Sequence, residues 1–177
     1  MNNEADNRPV SLTVYHSGGC GNAKNCTYPY EGTGSTPEEL KQLFQYDHTL
    51  IRFRNNYRCI DNFLEAAVVV LDNDNDHSDD PSDWVSVEDF QKMIQGISCI
   101  IATSRSHNKL KGNKSERPRY HVFFPVEPIT DSKEYSRLTQ RIYVRYPFFD
   151  AKALDPGRFF FWQSGYRGIH LPRQYHH

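Results

Sequence analysis

With 177 residues, 21 basic and 22 acidic side chains and a formal charge of −1, the chain has the length of one domain and lacks the excess positive charge of a nucleic-acid coat protein. The opening MNNEADNRPV is polar and no apolar run approaches the length of a membrane span, which predicts a cytoplasmic protein with no membrane contact. Four cysteines at uneven spacing predict reduced thiols; His16, Cys20 and Cys26, with Cys59 as a distant fourth ligand, match no common closed zinc site, so structural zinc is not expected.

In chain order, residues 11–15 read as a short strand, followed by a long Gly- and Asn-rich loop, SGGCGNAKNCTYPYEGTGS. STPEELKQLF then starts a helix, with Ser35 or Thr36 as cap and Pro37 in the first turn. The stretch TLIRFRNNYRCIDNF alternates apolar and basic residues. That makes Arg52, Arg54 and Arg58 candidate nucleic-acid backbone ligands, or simply exposed arginines of a strand and turn.

From residue 66 the expected order is strand 66–73, helix 86–96, strands 98–103 and 119–126, helix 131–143 and a last pair at 147–150 and 158–162. Ser86 caps and Gly96 stops the first helix, and Leu138 and Ile142 share a face of the second. The order β-α-β-β-α-β predicts an α+β fold with a split βαβ, RRM-like sheet. The expected single domain has an N-terminal α/β extension (1–60), an RRM-like core (61–163) and a tail (164–177). Such a sheet hosts many functions and names none.

The first core strand runs into acid: VVVLDNDNDHSDDPSDW, residues 68–84, holds six aspartates and no lysine or arginine. An EF-hand register starting at Asp72 fails at position six, where His77 replaces glycine, and at position twelve, where Asp83 replaces glutamate; a strand, not a helix, precedes it. On a strand, side chains i and i+2 share a face roughly 7 Å apart, so Asp72 and Asp74 project together from its end. Two such carboxylates suit a pair of divalent ions about 3.5–4 Å apart, the arrangement that clamps a phosphoryl transfer; the bland alternative is a solvated Asp/Asn turn.

The strand RPRYHVFFPV places Arg119, His121 and Phe123 on one face and Tyr120 and Val122 on the other. Just before it, SRSHNKLKGNKSERPR is a basic segment in which Lys109, Lys111 and Lys114 are candidates for following a nucleic-acid backbone, or for a solvated loop. Further on, YPFFDAKALDPGRFFFW brings another acid, Asp150, and Arg158 eight residues after it.

In this order the motifs resemble those of the archaeo-eukaryotic primase superfamily, and in particular its primase-polymerase branch: a DxD or DxE after a hydrophobic strand (VVVLDND), a histidine on a later strand (RPRYHVFF) and a hydrophobic-Asp element followed by a basic residue (PFFD…GRFFF). The resemblance covers roughly residues 60–163. Where many relatives read Ser-x-His, this chain has Arg119 at the serine position, and Ser104 is a neighbour without an assigned place. The resemblance implies Asp72, Asp74 and Asp150 as catalytic ligands of two Mg²⁺ or Mn²⁺ ions, Asp155 being a turn residue. It implies His121 and Arg158 as ligands of the incoming nucleotide's triphosphate, with Arg119 and Arg117 as secondary candidates. The implied activity is template-directed nucleotidyl transfer, as a DNA primase, a DNA polymerase or both, with dNTP or NTP substrates. The implied partners are a single-stranded DNA template or primer-template, with a replicative helicase or another replication protein as a further candidate. Two other classes compete: an RRM-like module stacking single-stranded bases on Tyr120, Phe160 and Trp162, and a metal-dependent nuclease.

Overall fold

The computed structural model describes residues 10–161 and 169–170. β1 (Leu12–His16) lies between β2 (Tyr30–Gly34) and β3 (His48–Thr49) in a three-stranded antiparallel sheet. Between them, α1 (Pro37–Leu43) starts as expected. Thr36 accepts from the Glu39 amide, and the Glu39 carboxylate reaches back to the Ser35 and Thr36 amides, so the first orphan N–H groups are satisfied locally. Phe44, directly after this helix, is fully buried and stacks on Phe123, which ties the N-terminal layer to the rest of the chain.

At Leu50 the chain passes from the first sheet to the second. β4 (Ile51–Phe53) buries Ile51 and Phe53 and turns Arg52 outward, as its alternation dictates. With β5 (Phe63–Asn73), β6 (Ile100–Thr103), β7 (Tyr120–Ile129) and β8 (Ile169–His170) it forms a five-stranded antiparallel sheet of order β4-β5-β7-β6-β8. The architecture is α+β, and β7 threads between β5 and β6.

Strand periodicity gives this sheet two apolar faces. Val69 and Leu71 of β5 and Tyr120, Val122 and Phe124 of β7 meet α2 (Val87–Met93) and α3 (Ser132–Arg145) through Phe90, Tyr135, Leu138 and Ile142. Val68, Val70 and Phe123 face the other way, toward Leu12, Val14, Leu40 and Phe44 of the N-terminal layer. A register shift between Ala66 and Val68 puts Ala66 on the helix side despite its even spacing from Val68, the usual effect of a bulge. Asp72 is therefore the next residue on the face that Val68 and Val70 set.

The expected last pair of strands is corrected. Residues 147–150 form a turn, because Tyr146, Phe148 and Phe149 all pack around the Phe90 ring, at centroid distances of 5.8, 5.9 and 5.4 Å, instead of alternating. Of residues 158–161 only Phe160 pairs, in a single bridge with His48 of β3. The edge of β5 is covered by β4, and β8 lines the far side of β6.

A candidate active site at the end of the long strand

β5 and β7 place Asp72 directly opposite His121, with Ala102 of β6 next in the same row. The Asp72 side chain is only 9% exposed; His121 Nε2 lies 3.5 Å from its Oδ1, and Arg158 Nη2 donates to its Oδ2 at 3.1 Å. Burial drives the Asp72 carboxyl above its ordinary pKa, with the Asp74 charge in the same sense; the His121 and Arg158 charges oppose them. Two polar atoms of this cluster are buried without a hydrogen bond, Asp72 Oδ1 and His121 Nδ1. Groups of this kind are costly to bury, and water, an ion or a ligand can complete their bonding.

Asp74 sits one step beyond β5, 17% exposed, with Lys111 Nζ at 2.5 Å and Arg119 Nε at 3.7 Å. The two asparagines around it anchor the loop. Asn75, at φ 52°, donates from Nδ2 to the carbonyls of Val85 and Pro118 and accepts from the Val85 amide. Asn73 donates to the Val85 carbonyl and accepts from the Asn75 amide. Of the remaining aspartates, Asp76 and Asp79 pair with Arg117, Asp80 caps the short 3₁₀ turn Pro81–Asp83, and Asp83 accepts from Ser78. The acidic stretch thus resolves into two site carboxylates and four that shape a loop.

The two secondary arginines are enclosed. Arg119, fully buried, donates to the carbonyls of Ser106, Lys109 and Ser115 at 3.0, 2.8 and 3.1 Å, and its own carbonyl accepts from the Ser104 amide. Arg117, 2% exposed, spans the Asn75 and Ser78 carbonyls and stacks over Trp84. Of the basic-segment lysines, Lys111 pairs with Asp74, Lys114 with Asp79, and Lys109 is exposed. The acidic and basic stretches therefore neutralise each other across the site's rim. Arg52 and Arg54 are exposed, whereas Arg58 is half-buried and spent on Gly157, Asn25 and Cys26.

Asp150 adjoins Asp72 through its backbone, whose N–H donates to the Asp72 carbonyl at 2.8 Å, while its carboxylate accepts from the Lys152 amide and caps the following 3₁₀ turn. Asp155 accepts from the Gly157 amide, as a turn aspartate does. Asp72 and Asp74 present hard carboxylate oxygens, the donor type that suits a divalent cation, and Asp72 Oδ1 is buried without a hydrogen bond. Among the described residues no three His, Cys, Asp or Glu side chains are grouped closely enough to hold a metal by themselves.

His48 carries no local signal in YDHTL, yet it borders the site. Its ring lies between Phe44 and Phe160, at centroid distances of 4.8 and 5.8 Å, and Phe160 in turn packs on His121 at 5.2 Å. Nδ1 hydrogen-bonds the Tyr46 carbonyl at 2.8 Å and so carries the proton, leaving Nε2 buried and unpaired. Burial pushes its pKa down from 6.5 to about 4, and the His121 charge acts in the same direction. The unfolded chain then binds a proton that the folded one refuses. Stability is complete above about pH 6.5 and should fall, as pH drops from there toward about 4, with a slope approaching 1.4 kcal/mol per unit. Urea unfolding at pH 7 and 5.5 tests this: His48→Phe should show a markedly flatter difference, and an equally steep one would place the titration elsewhere.

Tyr120 and Phe160 are 0% and 5% exposed, so neither displays a face for stacking; Trp162 lies outside the described residues. Among the described residues no helix is long and apolar enough to cross a membrane. Comparison with protein-family models, curated proteins and solved structures finds no match to this chain.

Proposed function

We propose that the chain is a metal-dependent nucleotidyltransferase of the primase-polymerase type, acting on nucleoside triphosphates at the end of β5. The observation that carries this reading is the convergence of Asp72, His121 and Arg158, with Asp74 beside them and Asp72 Oδ1 buried without a hydrogen bond. Asp72 and Asp74 would hold Mg²⁺ or Mn²⁺, with Asp150, tied by its backbone to Asp72, as the third acid of the resemblance. Bound there, the ions would lower the pKa of an attacking 3′-hydroxyl and neutralise charge on the phosphates. His121 and Arg158 would hydrogen-bond the triphosphate; the guanidinium is permanently charged and its planar fork matches phosphate oxygens. The insertion of β7 between β5 and β6 supports the finer reading of the core as a split βαβ. Lys109, Lys111 and Lys114 would follow a single-stranded template once Asp74 and Asp79, which pair with the last two, are neutralised.

The stacking module finds less support, because Tyr120 and Phe160 are buried. The nuclease shares the acids but leaves Arg158 and His121 without a triphosphate. Incubation with single-stranded DNA, labelled nucleotides and Mn²⁺, with and without a primer, separates these readings. Incorporation is expected; template degradation without incorporation would identify a nuclease, and template binding alone a binding module.

A further inference from the structure

Arg158 reaches Asp72 from a segment that belongs to no strand of the large sheet, so something else must aim it. The described contacts on either side of it are informative. Arg58 Nη1 donates to the carbonyl of Gly157 at 2.9 Å, and the Arg58 guanidinium lies over the Phe159 ring, 4.6 Å from its centroid. Arg58 thus grips the residue before Arg158 and the residue after it. It is itself anchored in the N-terminal loop, its amide donating to the Cys26 carbonyl at 2.6 Å and Nη2 to the Asn25 carbonyl at 3.5 Å. Consecutive side chains of an extended segment alternate in direction. With Phe159 held under Arg58, Arg158 and Phe160 turn to the other side, where Arg158 meets Asp72 and Phe160 meets His121. Thr49 completes the clamp by donating from Oγ1 to the Arg158 carbonyl at 3.2 Å.

We infer that Arg58 is a positioning residue: it presents Arg158 to the site and does not touch a nucleic-acid backbone. Its Nη donors serve Gly157, Asn25 and Cys26, its ring partner is Phe159, its Nε is buried and the side chain is only partly exposed, so little of it is left for a phosphate. A lysine cannot replace it, because one ammonium cannot both cap the carbonyl and lie flat on the ring. The consequence for binding rests on the reading of Arg158 as a triphosphate ligand; the consequence for the Arg158–Asp72 pair does not.

The experiment uses the full chain and the variants Arg58→Ala, Arg58→Lys, Arg158→Ala and the double alanine. In ¹⁵N spectra of the arginine side chains, Arg158 paired with Asp72 should give slowly rotating guanidinium signals that Arg158→Ala removes, identifying them. Both Arg58 variants should lose or broaden these signals, and unchanged signals in a folded Arg58 variant would overturn the inference. Affinity for dATP with Mn²⁺ should fall by about 10- to 100-fold in Arg58→Ala, the worth of a charge-assisted bond, and no further in the double variant. The salt dependence of single-stranded DNA binding should stay as in the wild type. A flattened salt slope with intact dATP affinity would make Arg58 a backbone contact and overturn the inference. If the wild type binds no dATP, the nucleotidyltransferase reading falls while the guanidinium spectra still decide the role of Arg58. Should Arg58→Ala fail to fold, Arg58→Lys, which keeps the charge and most of the volume, carries the same two measurements.

Discussion

Asp72→Asn is expected to reduce nucleotide incorporation to background while leaving the protein at least as stable as the wild type. The two halves of this expectation come from the same burial. Because the folded-state pKa of Asp72 lies above that of an unfolded aspartate, with burial as the first cause, the ionised carboxylate costs stability at any pH above the unfolded value. The amide has the same shape and no charge, so it removes that cost. Arg158 loses its partner but is 29% exposed and can rehydrate, which spares the variant the penalty of a stranded buried charge. A hard cation held there would, by contrast, lose an anionic oxygen. Asp74→Asn should be equally inactive; Lys111 is exposed and can rehydrate, but the fully buried Arg119, 3.7 Å away, loses a countercharge, so this variant should be less stable than the wild type. Urea unfolding, Mn²⁺ binding by calorimetry and incorporation on primed and unprimed single strands should be measured on the same samples. Wild-type incorporation by either variant would remove both acids from the chemistry; intact Mn²⁺ binding with lost incorporation would make them ligands of something other than the metal.

The parts of this site that could be read from the sequence are those governed by strand periodicity. The run of apolar residues into Asp72 sets the face of β5, the alternation in RPRYHVFF sets that of β7, and the two faces coincide when the strands pair Asp72 with His121. Helix starts were legible for the same local reason, since Thr36, Ser86 and Asp131 each satisfy amides two or three residues away. Partner choice among polar groups is not local. Nothing in DNDNDHSDD says that Asn75 will stand in for a backbone strand against Val85, or that Asp79 will be taken by Arg117 from across the loop. The aromatic run PFF reads as a strand, yet its rings find the Phe90 side of the core together and bend the chain. His48 is a polar residue in a core position, and its identity as a neighbour of His121 exists only once β3 meets Phe160.

Arg119 shows most directly how a correct face can carry a different role, and its removal should have the largest effect on stability. The alternation places it beside His121, but its guanidinium is sunk among three carbonyls of the segment 106–115, fully buried, with Asp74 Oδ1 3.7 Å from Nε. Arg119→Ala would strand those carbonyls and leave a cavity of several methylenes beside an acid that has lost one of its two cations. Breaking a buried charged cluster costs about 3–5 kcal/mol, and a loss in that range is expected, the carbonyls adding little because Lys109 and Ser115 are exposed and water can reach the segment. Arg119→Met restores the stem but none of the hydrogen bonds, and should recover only the packing part. Urea unfolding at neutral pH measures both, and hydrogen exchange of the 106–115 amides should report the segment coming loose in the folded protein. If Arg119→Ala unfolds at the wild-type urea concentration and instead loses dATP affinity, the side chain is a nucleotide ligand after all, and the carbonyl cage is not what holds it.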